Sequence, residues 1–264
     1  MIELPTESDP VRVVMGDSLV ALRALPGGCA GAVITDPPYS SGGMVRADRV
    51  NHTTDEKYTV KQHQGRRPNF GGDNMDQRAW QSWCYEWLVE AKRITREGGY
   101  LLSFSDWRQL PALTDVIQWA GWVWRGILCW DKTEGARGPH TGYFAYQCEF
   151  VAWATHGPCL AKPPLAEGGE GRMPGVFRRA VSQADKHHQT GKPTDVMRWL
   201  VKCCPPGDLI VDPFGGSCTT AVAAAHEGRR CLAIEREAPY VEIGRRRVAE
   251  AMGRGAGSLF GEGA

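Results

Sequence analysis

No apolar run in the 264-residue chain approaches the ~20 residues that span a bilayer as a helix. Glu3, Glu7 and Asp9 precede any apolar stretch, so no secretory leader is expected and the protein is expected in the cytoplasm. Cys-x-x-Cys is missing although the chain has nine cysteines, which removes the usual zinc and thiol-redox signatures. Cys203 and Cys204 are adjacent, a spacing that rarely serves one ion. Cys129, Cys148 and Cys231 lie inside apolar runs and read as small core residues. No metal is expected. An excess of one charge is also lacking: the net charge is +1, so any surface for a polyanion must be local. Hydrophobic content of 42% and charge of 23% are ordinary for a globular protein. The length suits one α/β domain or two small ones, with a substantial core.

What the chain does have is organised around Asp36-Pro37-Pro38-Tyr39. These residues follow Ala32-Val33-Ile34-Thr35, a short apolar run that reads as a buried strand. Two prolines cannot donate ladder hydrogen bonds, so the sheet must stop there. A carboxylate, rigid carbonyls and an aromatic ring are thereby held at a strand's carboxyl end, where open α/β sheets bind ligands. Asp36 and the Pro37 carbonyl can accept hydrogen bonds from an amino group on a flat ring, and Tyr39 can stack on that ring. The same tetrapeptide also serves as a plain strand-to-loop turn, so the rest of the chain must decide.

Val11 to Met15 reads as a strand, and Ser18 as the N-cap of a helix from Leu19 to Leu25. With the strand ending at Thr35 they form a βαβ unit, which puts Asp17 and Asp36 on one sheet edge. Ser40 to Gly72 is polar and locally basic, with six Lys/Arg against three Asp/Glu. A loop of that length is functional or disordered. A Trp-rich helix from Asp76 to Thr95 follows, ended by Gly98-Gly99, then a strand from Tyr100 to Phe104 and a helix from Leu110 to Ala120. Val123 to Trp130 and Glu149 to Ala154 read as an antiparallel pair, because their connection is short. Residues 157–187, rich in Pro, Gly and charge, read as a second loop excursion; Pro158-Cys159 lacks the neighbours a nucleophile needs.

The C-terminal third holds His188-Gln189-Thr190-Gly191-Lys192-Pro193, a helix from Thr194 to Cys203, and the run Leu209 to Thr220. That run reads as strand, glycine-rich turn and helix, a nucleoside or phosphate cradle. It is not G-x-G-x-x-G and has no lysine after its glycines, so bound pyrophosphate is disfavoured. The strand Cys231 to Ile234 ends in Glu235, about twenty residues on, where an acid can take two ribose hydroxyls. A basic helix from Pro239 to Met252 closes the pattern.

DPPY at 36–39, the H-x-T-x-K-P box, the DPFGGS turn at 212–217 and an acidic strand end together resemble the S-adenosylmethionine-dependent DNA amino-methyltransferases. The order, catalytic box before cofactor turn, is similar to their β group, over roughly Val11 to Val248. The resemblance implies a Rossmann-like class I methyltransferase of α/β class: a seven-stranded, mostly parallel sheet with one antiparallel strand and helices on both faces. It implies a single catalytic domain over residues 1–264, with DNA-facing excursions at about 40–72 and 157–187.

By resemblance, Asp36, Pro37, Pro38 and Tyr39 would be catalytic. The methionine part of S-adenosylmethionine would lie over Asp212, Phe214, Gly215, Gly216 and Ser217. Glu235 would hold the ribose, Asp17 would approach the adenine ring, and Thr190 and Lys192 would line the cofactor side. The family usually writes GSG where this chain has Gly216-Ser217-Cys218, so the following helix is expected to stand slightly further off. Methyl transfer to the N6 amine of a flipped adenine in double-stranded DNA is the expected reaction. Adenine is preferred because the β group's cytosine enzymes usually carry Ser where this chain has Asp36. N4-cytosine methylation is the alternative, with RNA or protein-glutamine methylation behind it. Arg46, Arg49, Lys57, Lys61, Arg66, Arg67, Arg178 and Arg179 are the expected DNA contacts. A bacterial or phage origin, a homodimer and a cognate restriction endonuclease all accord with the resemblance.

Overall fold

Short apolar runs alternate with amphipathic ones, and in the computed structural model, which describes residues 2–40, 75–134, 141–159, 172–180 and 191–253, they form a layered α/β structure. The first half carries β1 (Val11–Met15), α1 (Ser18–Ala24), β2 (Ala30–Thr35), α2 (Gln77–Ile94), β3 (Thr95–Ser105) and α3 (Leu110–Trp119). Then come β4 (Val123–Asp131), β5 (Cys148–Thr155) and β6 (Val176–Arg178). The last part adds α4 (Thr194–Val201), β7 (Leu209–Asp212), α5 (Thr219–His226), β8 (Arg230–Glu235) and α6 (Ala238–Ala251).

The strands form one sheet in the order β1-β8-β7-β2-β3-β5-β4-β6. Only β5 among them runs against its neighbours, β3 and β4. The N-terminal strand pairs with the last strand, Val11 opposite Cys231 and Met15 opposite Glu235. Both chain ends therefore build one side of the sheet. Strand β2 lies in the middle between β7 and β3, so its end at Thr35 sits beside the end of β7.

Successive strand residues point to opposite faces, and the core divides accordingly. Ala32, Ile210 and Ala233 pack with α4, α5 and α6, through residues such as Met197, Ala221 and Val248. Val33, Val211 and Leu232 pack with α1, α2 and α3, through Leu22, Trp80, Trp87 and Leu113. Each face is sealed by helices, which is why the central strands read as unbroken apolar runs.

The structure corrects several expected boundaries. Among the described residues the sheet has eight strands, not seven, because Val176–Arg178 pairs with the β4 edge inside the stretch read as loop. A β-branched and an aromatic residue meeting an open edge outweighed the surrounding Gly and Pro. Helix α2 ends at Ile94, where the Thr95 hydroxyl donates to the Ala91 carbonyl at 2.7 Å. Gly98 and Gly99 belong to β3, where its register with β2 shifts between Ala30 and Ala32. A Cβ on Gly99 would lie 2.7 Å from the Gly31 carbonyl, so the glycine serves a bulge. Cys231 is buried as expected, but Cys129 is half-buried and Cys148 exposed, since the β4–β5 pair lies near the sheet's end with one face open.

Cys218 takes the left-handed backbone, φ 60° and ψ 37°, at the N-cap of α5. Its thiol is accommodated by α6: a Cβ added to Gly244 would sit 2.3 Å from Cys218 Sγ and 2.9 Å from its Cβ. The cysteine thus fits where a neighbouring helix supplies no side chain. Gly244→Ala is expected to cost ~1–3 kcal/mol through overpacking, measured as a drop in urea midpoint at unchanged slope. Adding Cys218→Gly should recover most of that loss. Simple addition of the two single effects would contradict the pairing.

Candidate active site

The prolines end β2, and three contacts hold the chain that follows. Trp80 Nε1 donates to the Pro38 carbonyl at 2.8 Å. Gln109 Nε2 donates to the Tyr39 carbonyl at 3.0 Å. Ser40 turns with φ 52°, and its hydroxyl oxygen accepts from the Met75 N–H at 3.3 Å. The Pro37 carbonyl is left out of all three bonds. The Trp80 ring is fully buried, so the loop is pinned to the core by a side chain whose spacing reads only as helix packing.

The Asp36 carboxylate sits among charges. The Tyr39 hydroxyl donates to Asp36 Oδ1, and Lys192 Nζ donates to Asp36 Oδ2 at 2.6 Å. Lys192 is 6% exposed and also lies 3.3 Å from Glu149 Oε2. Lys132 Nζ donates to Glu149 Oε1 at 3.4 Å. The Lys192 ammonium stands 4.9 Å from the Phe104 ring centre and 5.5 Å from that of Tyr39. Two carboxylates and two ammonium groups balance, as a half-buried cluster requires. Burial raises the Asp36 pKa, against the pull of Lys192 and the Tyr39 hydroxyl. Burial also opposes the Lys192 charge, but Asp36 and Glu149 outweigh it and raise the pKa. For Glu149, burial is likewise overcome, by Lys192 and Lys132, and the pKa falls. Burial raises the Tyr39 pKa well above its usual value, helped by the Asp36 charge.

Beside this cluster lies the turn after β7. Asp212, 2% exposed, accepts from the Thr35 hydroxyl at 2.7 Å, the Phe214 N–H at 3.1 Å and the Thr220 hydroxyl at 2.5 Å. It thereby ties the end of β2 to the glycine-rich turn. Burial pushes its pKa up to about 6 despite those bonds. Gly215 N–H donates to the Ile234 carbonyl at 2.8 Å. Gly216 has φ 52° and donates its N–H to Glu235 Oε2 at 2.7 Å, while Glu235 Oε1 accepts from the Glu237 N–H at 2.8 Å. Each Glu235 oxygen keeps acceptor capacity for a ligand hydroxyl. Arg247 of α6, 7% exposed, donates to the Ser217 carbonyl at 2.5 Å, the Ser217 hydroxyl at 3.2 Å and the Thr219 hydroxyl at 3.1 Å. Phe214 packs against Trp83 and Trp87, with ring centres 5.2 and 5.4 Å apart.

Asp17, not Ser18, is the N-cap of α1: its Oδ1 accepts from the Leu19 and Val20 N–H groups at 3.0 Å. Ser18 opens the helix and donates to the Pro213 carbonyl at 2.5 Å. A charged oxygen at the cap position offsets the helix's unpaired amides, and Asp17 remains exposed at the sheet edge. Lys192, expected on the cofactor side, places its ammonium on Asp36. Arg178 lies 3.5 Å from Asp131 and pairs with Glu134; Arg179 lies 3.1 Å from Asp195. Both arginines are exposed on or next to β6. Thr190, Arg46, Arg49, Lys57, Lys61, Arg66 and Arg67 lie outside the described residues. Cys159 contacts the Tyr100 hydroxyl at 3.2 Å, at the opposite edge of the sheet from Asp36. Glu149, Trp80, Gln109 and Arg247 escaped the sequence reading. Only Glu149 offered a signal, a charge opening a strand beside the sheet's active edge.

Comparison with known proteins supplies the context for this geometry. A family model described as DNA methylase, for N6 and N4 enzymes, matches residues 31–163 and 169–246. YubD of Escherichia coli (strain K12) is 27% identical over 239 residues, covering 90% of each chain. The type II methyltransferase M.HinfI of Haemophilus influenzae is 23% identical over 254 residues, 90% of this chain and 68% of that one. Among solved structures, the M1.HpyAVI–SAM complex shares the fold with TM-score 0.65 at 18% identity, covering 90% of this chain and 98% of its own. The cytosine-N4-specific PvuII DNA methyltransferase does so with TM-score 0.64 at 18% identity, covering 95% and 93%.

Asp212 holds its proton more readily folded than unfolded. The stability this group contributes is therefore complete below its unfolded pKa of 3.8 and is lost as pH rises through about 6. A difference of about two units is worth ~3 kcal/mol. Asp212→Asn should flatten the fall in unfolding free energy between pH 4 and 6 relative to wild type, measured by urea titration at several pH values. An unchanged slope would mean that Asp212 does not titrate in that window.

Proposed function

The chain belongs to the DNA methylase family, and on that premise we propose that it transfers a methyl group from S-adenosylmethionine to the N6 amine of adenine in double-stranded DNA. The observation that carries this reading is the half-buried Asp36 carboxylate beside the Pro37 carbonyl, one hydrogen bond (Thr35 to Asp212) away from the glycine-rich turn. The donor set suits the cofactor. Glu235 retains a lone pair on each oxygen for a pair of hydroxyls, Gly216 leaves the turn without a side chain, and Asp17 stands exposed on the same edge. S-adenosylmethionine, when bound, supplies a methyl group on a positively charged sulfur.

The chain's own residues do the rest. A base inside a duplex is out of reach, so the target nucleotide must leave the stack, and Tyr39 offers a ring on which it can lie, worth ~1–3 kcal/mol. To stack, Tyr39 gives up its bond to Asp36, which frees Oδ1. Asp36 and the Pro37 carbonyl then accept the two N–H bonds of the amine. Those bonds favour the pyramidal nitrogen, whose lone pair is no longer spread into the ring, and the amine attacks without a covalent enzyme intermediate. As the nitrogen's bond to the methyl formed, the methyl–sulfur bond would break with its electron pair left on sulfur, so that a neutral thioether departs and the positive charge passes to the nitrogen. The surplus proton would then leave to Asp36, a half-buried carboxylate suited to receive it. Asp36, in place of Ser, supports adenine over cytosine. The exposed arginines of the β6 region are already paired with carboxylates, so a phosphate that binds there must displace those pairs.

Incubation with S-adenosylmethionine and unmethylated genomic DNA, followed by mass spectrometry of the nucleosides, should show N6-methyladenine. N4-methylcytosine instead would overturn the choice of base, and methylation of RNA or protein but not DNA would overturn the substrate class. Glu235→Ala should weaken S-adenosylmethionine binding by about 10- to 100-fold in calorimetry, the worth of hydrogen bonds to a charged group. Unchanged affinity would place the ribose elsewhere.

A further inference from the structure

Strand β3 lies next to β2, with Ser103 opposite Thr35, so the residues after Ser105 leave the sheet beside Asp36 and Tyr39. They form a tight turn. Asp106 Oδ1 accepts from the Arg108 and Gln109 N–H groups at 2.9 and 3.0 Å, and Gln109 Nε2 reaches across to the Tyr39 carbonyl at 3.0 Å. Trp107 projects from this turn, 53% exposed. The Arg108 guanidinium lies over its ring, 4.9 Å from the centre, and is itself held by Asp106 Oδ2 at 3.2 Å. A lone exposed apolar residue needs no explanation in general. This one is an indole at the active edge, braced by a cation, on a turn bonded to the loop that carries Tyr39.

We propose that Trp107 is a positioning residue for methyl transfer: it stacks on the bases that border the vacated position once the target nucleotide has left the duplex. The inference rests on the methyltransferase reading above. Flipping a nucleotide deprives its two neighbours of a stacking partner, and an inserted apolar side chain makes good that loss. An indole has the flat area for this, and stacking on it tolerates any base. Exposure divides the work between the two rings. Tyr39 is half-buried, which suits the base that leaves, whereas Trp107 faces water, where the duplex would lie. The Gln109 bond couples their positions, so a duplex seated on Trp107 presents its flipped base to Tyr39. Tyr143 and Phe144 are more exposed still, but they belong to the connection between β4 and β5, which lie three and two strands from β2.

The test compares two duplexes that carry the target site, located beforehand by mapping methylated bases in genomic DNA treated with the wild type. One has the target base paired and the other has it mispaired, so that it leaves the stack readily. In single-turnover reactions at saturating enzyme, Trp107→Ala should slow transfer on the paired duplex by roughly 5- to 150-fold, the worth of stacking one base. On the mispaired duplex, where flipping no longer limits the rate, the loss should shrink to about threefold or less. Trp107→Phe, which keeps a smaller flat ring, should recover part of the rate, and the urea midpoint should stay at the wild-type value for both variants. A wild-type rate for Trp107→Ala on the paired duplex, or an equal loss on both duplexes, would overturn the proposal. The same split shown by Phe144→Ala instead would give the role to the β4–β5 connection and overturn it too. Failure of the wild type to methylate any DNA would overturn the reaction itself, a result distinct from any comparison of the two duplexes.

Discussion

A carboxylate half-buried at the end of a strand cannot stand there without partners for its charge. Asp36 meets this constraint at the end of a strand buried along its whole length, where the price of half-burial is a set of compensating charges. Lys192, Glu149 and Lys132 supply them from three other parts of the chain, and Tyr39 adds a hydroxyl. Removing one partner from such a cluster strands another. The arrangement therefore explains why the box around Lys192, the β4–β5 hairpin and the β2 loop must converge on one edge of the sheet.

The same edge carries the second half of the site, and one hydrogen bond joins the halves. Thr35 ends β2 and donates to Asp212, which ends the neighbouring strand and shapes the glycine-rich turn with Phe214 and Thr220. Strand order makes this possible, since β2 and β7 are adjacent although about 175 residues separate them in sequence. Helix α6 then fixes the turn from outside, through Arg247 on Ser217 and through the room Gly244 leaves for Cys218. The thiol expected to push the following helix away is instead absorbed by the helix after that.

Much of this was readable in the residues alone, for physical reasons. The strand before Asp36 is an unbroken apolar run because helices cover both faces of the sheet, and the two prolines must end it. Strand, glycine turn and helix from Leu209 to His226 follow from local backbone preferences, and the acidic end of β8 falls beside that turn, where Glu235 accepts from the Gly216 N–H. What was hidden depends on contacts between distant segments. Lys192 looked like a cofactor residue because its motif says nothing of Glu149, 43 positions earlier, which shares it with Asp36. Trp80 sits in an ordinary helical stripe, and nothing in that spacing tells that its ring nitrogen holds the Pro38 carbonyl. Gly98 and Gly99 looked like a helix stop, whereas the close approach of Gly31 makes them a bulge. Strand β6 was hidden among turn formers, because an edge strand is decided by the neighbour it finds.

The central claim is that Asp36 acts on the base and not on the cofactor, although both lie on one edge. The most direct measurement is Asp36→Ala, assayed for methyl transfer to DNA and for S-adenosylmethionine affinity by calorimetry on the same preparation. Transfer should fall by about a hundredfold or more, the loss of ~2.7 kcal/mol of transition-state stabilisation, while cofactor affinity stays within about threefold. Transfer retained above a few per cent, or cofactor binding lost along with it, would contradict the account.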